Sequence, residues 1–496
     1  MDCIIVGAGN AGRPVARLLN YLGHKVTITD PKSFEEIHVE FQEYLKVMEK
    51  EGVILDLGND KPDINSHTHV FTAPTLPEDS YAAKEIKKSN IKRITNNDFS
   101  KLLDETINID IIGVTGSVGK TSTTHILETI FTKAGYNVWL CSSMNQNLVS
   151  EVIVDGVING MPEKSDIAIF ELPHGTAGLM GELNLKVGAL LNIYPEHLSE
   201  FGGSMEKYIN RKMFITKNSE KLISNVLCKD IISNKRPDTL YYGMIDNLEE
   251  SSDELFKKIE NNEDIIIGEL EDNKKQICNF IGEAGDKSLK IGYNFNKDYG
   301  IINSNFQMMS YYFENALAAS AISLAYGLNE DDIKKGLESF KGLAVHMEYI
   351  GKYNGRDVYI DASYLMEGMK SALEFFKDKP LVTLIDNFDT TTIRDKKSTG
   401  KLIGEYSKVM VATGFNEAYQ KVMMEPAREL LAAADSNVEK VLGETMEEGA
   451  ELCIKYSEPG DSILHLGPQL MQNYESVRAK IITGLEEGCR KYEWGG

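Results

Sequence analysis

Two glycine-rich turns, each between an apolar run and an amphipathic segment, constrain the fold of this chain most strongly. The first turn contains Gly7, Gly9 and Gly12 and follows the apolar residues 3–6, and the second spans residues 113–122 and follows residues 109–112, which are apolar except for Asp110. A buried strand that leads through such a turn into a helix opens a βα unit, and repeated βα units build parallel sheets. The sequence therefore predicts an α/β fold.

Strand-like and helical segments continue to alternate along the 496 residues, a length that suggests about three domains. The apolar runs predict strands at 167–171, 187–193, 358–361, 381–386, 408–412 and 461–466, and helices are expected at 121–134, 314–327 and 472–491. We predict a Rossmann-like N-terminal substrate domain over 1–107, a central P-loop ATP-binding domain over 108–350 and a Rossmann-like C-terminal domain over 351–496. The polar segment 276–300 has short strand-like runs and indicates no chemistry.

Composition excludes several classes of function. The 53 basic and 75 acidic residues give a net charge of −22, which is the wrong sign for a protein that binds nucleic-acid phosphates. The six cysteines show no C-x-x-C spacing, which argues against a zinc ribbon or a disulfide framework. Because the apolar runs are shorter than a membrane helix and the chain starts directly in a strand, we expect a cytoplasmic protein that acts on a small molecule. Its oligomeric state is not indicated.

The first turn fits a Rossmann-like nucleotide-binding unit, with Asp30 at the end of the following strand. Glycines there allow a phosphate to approach the N-terminus of the helix. The same turn occurs without NAD, so an NAD-dependent oxidoreductase, another ligand and a purely structural turn remain alternatives.

The second turn is more specific, because Gly119, Lys120 and Thr121 follow a buried strand and open a helix. Backbone amides of such a loop hold phosphates, the lysine contacts the β- and γ-phosphates, and the Thr hydroxyl is offered to Mg²⁺. Strict spacing for this motif would place glycine at position 114, which is Val here. Glu171 closes a predicted strand and could hold the same Mg²⁺. Taken alone, His197 and Lys212 would be a structural histidine and a surface lysine.

At these residues the chain resembles the Mur ligase family, whose three-domain members activate a carboxylate with ATP and join it to a nucleophile. The resemblance covers nearly the whole chain, to about residue 474, and the N-terminal part is most similar to the D-glutamate-adding branch, in which it binds a UDP-linked precursor. The matching stretches are GVTGSVGKTS from 113, NIYPEHLSEFGGSMEKYINRKMFI from 192, ENALAASAISLAYGL from 314, GLAVHMEYIG from 342 and DASYLMEGMKSAL from 361.

The resemblance implies a role for each matching residue. His197 and Lys212, the latter carbamylated, would hold a second Mg²⁺ and act in catalysis with Lys120. Thr121 and Glu171 would hold the first Mg²⁺, and carbamylation would turn the lysine from a cation into an anionic group. The implied ATP-binding residues are Gly116, Ser117, Val118, Gly119, Lys120, Thr121, Ser122, Asn315, His346 and Asp361.

Two departures from the family pattern affect the predicted function. His346 stands where the family has Arg, and Arg is not conservatively replaced at a phosphate contact. Residues 362–365 lack the cationic residue that receives an incoming amino acid in peptide-forming members. The sequence therefore leans away from amino-acid addition.

A branch of the family in methanogens uses no separate amino acid, because it closes a carbocyclic ring of a nickel tetrapyrrole acid to make coenzyme F-430. The stretches from 4, 171, 386 and 463 resemble that branch: IIVGAGNAGRPVARLLNYLG, ELPHGTAGLM, DNFDTTTIRDK and ILHLGPQLM. Lys84, Lys87, Lys88 and Arg394 are candidate cations for the tetrapyrrole carboxylates, although solvated surface positions explain them better. The alternatives are a peptide ligase acting on a UDP-linked murein or pseudomurein precursor, the oxidoreductase, and a non-catalytic ATP-binding regulator.

Overall fold

The structure is a computed structural model that describes residues 1–37, 39–144, 148–195, 198–233, 235–248, 251–269, 275–285, 288–306, 308, 312–363, 365–386, 395–416, 421–467 and 469–492. Two of the predicted functional residues, His197 and Arg394, lie outside the described residues. Their roles remain predictions.

The first sheet is parallel and carries the first glycine-rich turn. Its strands are β1 (Asp2–Val6), β2 (Lys25–Asp30), β3 (Ile54–Leu57), β4 (His69–Thr72) and β5 (Lys92–Ile94). The helices of this part are α1 (Gly12–Tyr21), α2 (Val39–Lys50), α3 (Tyr81–Lys88) and α4 (Asn96–Ile107). The strand order is β3-β2-β1-β4-β5, so the turn between β1 and α1 lies at the middle of the sheet.

The central sheet mixes parallel and antiparallel strands. Its strands are β6 (Asp110–Thr115), β7 (Val138–Cys141), β8 (Ile167–Glu171), β9 (Leu185–Leu190), β10 (Ser219–Asn225), β11 (Leu240–Met244), β14 (Phe280–Ala284), β15 (Leu289–Phe295) and β16 (Asp298–Ser304), and a separate hairpin pairs β12 (Ile265–Glu269) with β13 (Lys275–Cys278). Its helices are α5 (Lys120–Lys133), α6 (Val149–Ile158), α7 (Met161–Lys164), α8 (His174–Leu179), α9 (Met205–Lys212), α10 (Ile215–Asn218), α11 (Lys229–Ile232), α12 (Ser252–Glu260), α13 (Phe313–Tyr326) and α14 (Glu330–Ser339). The order is β16-β15-β14-β11-β10-β9-β6-β8-β7, and β15 is antiparallel to both of its neighbours, β14 and β16.

The third sheet has the order β17-β18-β24-β19-β20-β23 and is parallel except for β17. Its strands are β17 (Glu348–Tyr353), β18 (Arg356–Asp361), β19 (Leu381–Ile385), β20 (Val409–Thr413), β23 (Glu439–Gly443) and β24 (Ser462–Leu466), and β21 (Phe415–Asn416) pairs with β22 (Lys421–Val422). The helices are α15 (Met366–Glu374), α16 (Lys396–Tyr406), α17 (Met424–Ala433), α18 (Met446–Lys455) and α19 (Gln469–Lys491).

The α/β fold predicted from the two turns is confirmed, and the differences in detail have physical causes. The segment 276–300 forms antiparallel strands that extend the central sheet, which alternation with helices could not indicate. The strand expected at 187–193 ends at Leu190, because the next residues leave the sheet to contact the phosphate loop. The predicted boundary at 350/351 falls inside β17, and the domain limits stay a prediction.

In the part of the chain that the structure describes, no helix combines the length and the apolar character needed to cross a membrane. The predicted helix face around Lys84 lies on α3, where Lys84, Lys87 and Lys88 are exposed. Lys87 and Lys88 pair with nearby glutamates, as expected of a solvated helix face.

Candidate active site

The second glycine-rich turn connects β6 to α5 at the carboxyl edge of the central sheet. Val114 is fully buried inside β6, so the loop begins only after Thr115 and the missing glycine at 114 leaves the loop intact. Gly119 adopts a φ of +82°, which favours glycine. A Cβ atom there would also lie 2.3 Å from Asn315 Oδ1. The predicted nucleotide-contacting Asn315 therefore lies directly against the phosphate loop.

Asn192 holds this loop from the end of the neighbouring strand β9. Its Oδ1 accepts hydrogen bonds from the backbone amides of Ser117 and Val118, each at 2.9 Å, and its Nδ2 donates to the Val118 carbonyl at 3.1 Å. The Ser117 hydroxyl accepts from the Tyr194 amide at 2.9 Å and lies 2.8 Å from the Tyr208 hydroxyl. These bonds hold the backbone of the loop in place.

Thr121, Ser143 and Glu171 bring three side-chain oxygens together at the mouth of the loop. Glu171 Oε2 accepts from the Thr121 hydroxyl at 3.0 Å, from the Ser143 hydroxyl at 3.1 Å and from the Ser143 amide at 3.0 Å. Glu171 is 2 % exposed. A buried carboxylate beside hydroxyl oxygens is a suitable donor set for Mg²⁺, which prefers hard oxygen ligands and completes its shell with water and phosphate.

Two lysines contact carbonyl groups of the same loop. Lys120 Nζ donates to the Ser117 carbonyl at 2.7 Å, and Lys212 Nζ donates to the Gly116 carbonyl at 2.8 Å. Lys212 is 1 % exposed, and its Nζ lies 4.9 Å from the centre of the Tyr208 ring. The helical pattern around Lys212 suggests a surface lysine, but α9 packs this side chain beneath the phosphate loop.

The predicted nucleotide residues of the third sheet approach the loop from the other side. Asp361, at the end of β18, is 1 % exposed and accepts from the amides of Met347 and Ser363, each at 2.8 Å. Burial raises the pKa of this carboxyl group, and the nearby His346 and the two amides oppose that rise. Asp361 therefore holds two backbone segments at the edge of the site.

A cleft of about 130 Å³ lies between the phosphate loop and the third sheet. Its lining combines residues of the loop, the oxygen-bearing residues beside it, and residues in or next to the third sheet: Ser117, Val118, Gly119, Lys120, Thr121, Ser122, Ser143, Glu171, His346, Ala362, Ser363, Leu365 and Gly368. Of the residues predicted to bind a nucleotide, residues 117–122 and His346 line this cleft, whereas Gly116, Asn315 and Asp361 do not.

Comparison with known proteins agrees with this arrangement. A model described as the Mur ligase middle domain matches residues 114–235. An uncharacterized protein of Methanothermobacter thermautotrophicus is 36 % identical over 217 residues, which cover 43 % of this chain and 69 % of the relative. The UDP-N-acetylmuramoylalanine--D-glutamate ligase of Lactobacillus helveticus is 24 % identical over 476 residues, covering 93 % of this chain and 91 % of the relative.

The chain belongs to the Mur ligase family. Members of this family are ATP-dependent ligases. Among solved structures, a pseudomurein peptide ligase type C from Methanothermus fervidus superimposes with a TM-score of 0.58 at 20 % identity, covering 97 % of this chain and 100 % of that chain. The MurF ligase from Thermotoga maritima in complex with ADP superimposes with a TM-score of 0.59 at 16 % identity, covering 96 % and 99 %. These likenesses confirm the three-domain Mur ligase architecture.

The first glycine-rich turn of this ligase is explained by its own packing. A Cβ at Gly12 would lie 1.9 Å from the Gly7 carbonyl oxygen, so the turn requires glycine at position 12 whether or not a ligand binds. Asp30 accepts from the amides of Ala8 at 2.9 Å and Lys32 at 3.0 Å. In an NAD-binding domain the carboxylate at this position contacts the ribose. Here both oxygens of Asp30 already accept backbone hydrogen bonds, which weakens the oxidoreductase alternative.

Asn192, Ser143 and Tyr208 are the residues of this site that motif reasoning did not assign. Asn192 and Tyr208 lie in the stretch that resembles the family, but only their contacts with the loop reveal a role. Ser143 follows β7 with no motif around it. The position just after a parallel strand, at the edge that carries the phosphate loop, is the signal that could have identified it.

Proposed function

We propose that this ligase uses ATP and Mg²⁺ to convert a substrate carboxylate into an acyl phosphate, which a nucleophile of the substrate then attacks. The observation that carries the proposal is the single cleft that holds Lys120, Thr121 and Glu171 beside the phosphate loop. The positive side chain of Lys120 and the loop amides suit a triphosphate. Thr121 and Glu171 fit Mg²⁺, whose charge would offset that of the β- and γ-phosphates.

The first chemical step is in-line attack of a carboxylate oxygen on the γ-phosphorus, with ADP as the leaving group. The contact of Lys120 with the Ser117 carbonyl would give way to the phosphates, and its charge would then stabilise the transition state. In the second step the nucleophile bonds to the acyl carbon and phosphate leaves. Closure of the third sheet over the cleft would exclude water from the acyl phosphate.

Lys212 and His197 are proposed to serve a second Mg²⁺. Lys212 lies against the Gly116 carbonyl, within the loop that would hold the phosphates. Carbamylation of Lys212 would replace this cation with an anionic group and supply an oxygen ligand. The modification is part of the proposal and can be checked by mass spectrometry of the intact protein.

We propose further that the substrate is the nickel tetrapyrrole acid that is cyclised to form coenzyme F-430, with a ring carbon as the nucleophile. Among the described residues, the third sheet and α15 contribute Ala362, Ser363, Leu365 and Gly368 to the cleft, and none of these is charged. Among the residues that the structure describes, the lining on this side therefore contains no lysine or arginine for an incoming amino-acid carboxylate. The relative from Methanothermobacter thermautotrophicus, a methanogen, also supports this choice. Intramolecular attack would benefit from proximity.

A peptide ligase that adds an amino acid to a UDP-linked precursor is the second candidate. The D-glutamate ligase relative and the pseudomurein peptide ligase fold favour it. It would use the same phosphate loop and the same proposed Mg²⁺ ligands, Thr121 and Glu171. The two candidates differ in the substrate and in whether a separate amine is consumed.

Phosphate release from ATP by the purified protein, measured with each candidate substrate, separates them. We expect turnover with the nickel seco-tetrapyrrole acid alone and a product lighter by one water. Turnover only with a UDP-linked precursor and an amino acid would exclude the cyclase and establish the peptide ligase. An E171Q variant is the control, because phosphate release that survives this change does not come from the proposed site.

A further inference from the structure

A row of side chains on α5 reaches from the surface of that helix to the turn that carries Ser143. Thr121, His125 and Glu128 are spaced by four and three residues and so share one face of α5. His125 Nδ1 lies 3.4 Å from Glu128 Oε2, and His125 Nε2 lies 3.0 Å from the hydroxyl oxygen of Ser142. Ser142 is fully buried.

One tautomer of His125 is compatible with both of these contacts. With the Nδ1 proton directed to Glu128, Nε2 accepts from the Ser142 hydroxyl, and that hydroxyl oxygen accepts from the Met144 amide at 3.3 Å. The Ser142 side chain thereby ties α5 to the backbone of the turn 142–144. The conformation of that turn depends on His125.

The turn 142–144 also sets the orientation of the Glu171 side chain. Both the amide and the hydroxyl of Ser143 donate to Oε2 of Glu171, where the Thr121 hydroxyl also donates. Three donors on one oxygen hold the carboxylate in a single rotamer. A cation held by Glu171 together with Thr121 would depend on this fixed orientation of the carboxylate.

We propose that Ser143 is a positioning residue for the Mg²⁺ site and that His125 acts through Ser142 to hold it there. The inference rests on the proposed ATP- and Mg²⁺-dependent function and adds two residues to it. Partners that orient a carboxylate ligand typically change metal affinity by about 10- to 100-fold when they are removed. Ser143 and His125 lie outside the loop residues 113–122 and contact Glu171 and Ser142, so their effect should fall on the metal more than on the nucleotide.

The test measures Mn²⁺ binding by the full-length protein in the presence of saturating ADP, by electron paramagnetic resonance, and ADP binding in the presence of EDTA, by calorimetry. For S143A, which keeps the amide but loses the hydroxyl, we expect Mn²⁺ affinity to fall about tenfold. ADP affinity without metal should stay within about twofold, since the loop amides and Lys120 are unchanged.

Substitutions of His125 test the second half of the proposal. H125L removes the bond to Ser142 and should weaken Mn²⁺ binding about threefold, a smaller effect because it is transmitted through the turn. H125Q can still bond to the Ser142 hydroxyl and should restore the affinity. T129V is the matched control, because Thr129 lies one turn further along the same face and its hydroxyl donates to the backbone carbonyl of His125, at 2.9 Å, which H125L and H125Q both keep.

The outcomes separate this inference from the function on which it rests. Unchanged Mn²⁺ affinity in both S143A and H125L, with binding lost in E171Q, overturns the positioning role and leaves the proposed function intact. Failure of the unsubstituted protein to bind Mn²⁺ with ADP contradicts the proposed function itself. Because the two substituted residues lie on different elements, loss of folding in one variant, detected by circular dichroism, leaves the other to decide.

Discussion

The contact between α1 and α6 is made of buried ion pairs, whereas the contact between the phosphate loop and the third sheet is a cleft bordered by small, uncharged side chains. In the first contact, Arg13 is completely buried and its Nε donates to Glu151 Oε1 at 2.7 Å. Its guanidinium group also lies 3.7 Å from the centre of the Phe41 ring. Moving α1 away from α6 would therefore take from the Arg13 cation its carboxylate partner, Glu151.

A second arginine extends the same contact. Arg17 forms two bonds to Glu51, at 2.7 and 2.8 Å, and another to Asp155, which also accepts from the Tyr44 hydroxyl at 2.8 Å. Glu151 and Asp155 belong to α6, while the arginines belong to α1. The first sheet and the central sheet are joined by charges that are expensive to separate in a medium of low polarity.

The third sheet is attached differently, through the backbone of residues 343–347. Val345 and Met347 adopt φ values of +58° and +50°, which are unfavourable for residues other than glycine, above all for the β-branched Val345. Their amides are held by the carboxylates of Glu348, at 3.0 Å, and Asp361, at 2.8 Å. Strain of this kind, of about 1–3 kcal/mol per residue, persists only while the surrounding bonds maintain it.

The difference indicates which contact is fixed and which can open. Separating α1 from α6 would break desolvated ion pairs, but opening the cleft at the third sheet would break backbone bonds and release strain. A ligase that must admit its substrate and then exclude water needs one contact that can open and close, as the cleft at the third sheet could. We expect the first and central sheets to move together and the third sheet to move against them.

The largest effect is expected for Lys120→Ala, which removes a positive side chain from the cleft between the phosphate loop and the third sheet. Loss of a charged group that stabilises the transition state should lower kcat/KM by about 10³-fold, with little change in the unfolding temperature. Lys133→Ala, at the other end of α5, is the control for helix propensity and should retain activity. If Lys120→Ala also lowers the unfolding temperature strongly, the loss of activity would come from loss of structure, and Lys120 would have a structural role.

Glu151→Ala breaks the opposite contact. It leaves Arg13 buried without its partner, and we expect a loss of about 3–5 kcal/mol in the free energy of unfolding, measured in urea. kcat of the folded fraction should change much less than in Lys120→Ala. The double variant Arg13→Met/Glu151→Leu should regain most of the stability; if it is as unstable as Glu151→Ala, the ion pair is not the cause.

Asp361→Asn tests the backbone of residues 343–347, through which the third sheet is attached. An amide side chain cannot accept from both the Met347 and the Ser363 amides in the same way, so one buried donor loses its partner at a cost of about 1–3 kcal/mol. Because these segments border the cleft, we expect the KM for ATP to rise about tenfold, in line with that cost. An unchanged KM with reduced stability would confine Asp361 to a structural role.

The smallest effect is expected from pH at the α1–α6 contact. Burial raises the pKa of Glu151, although Arg13 opposes the rise. A raised pKa in the folded state means that the folded protein holds the proton more tightly, so the stability from this group is present below the unfolded pKa and is lost as pH rises through the folded value. The stability of the unsubstituted protein relative to Arg13→Met/Glu151→Leu should therefore increase as pH falls through that window. A difference that decreases instead would mean that attraction to Arg13 exceeds desolvation.

Much of the fold was predictable because its signals are local. The apolar runs before Gly7 and Gly113 and the helix at 313–326 depend on periodicity within about ten residues. Short strand-like runs were visible in 276–300, but their antiparallel pairing was not predictable, because the pairing of a short polar strand is decided by its partner in the sheet. Similarly, the motif at 113–122 indicated phosphate binding, but it could not show that Val114 remains inside the strand.

The sequence by itself determined the two βα openings, the α/β class and the residues that would meet a nucleotide, since each is written in short-range pattern or family motif. Only the tertiary structure decided that Lys212 is buried against the loop, that Asn192 braces the loop amides, and that Ser143 joins Glu171. These contacts join residues 28 to 96 positions apart. Parallel strands bring their carboxyl ends to one edge regardless of such separation, and no local pattern records which side chains meet there.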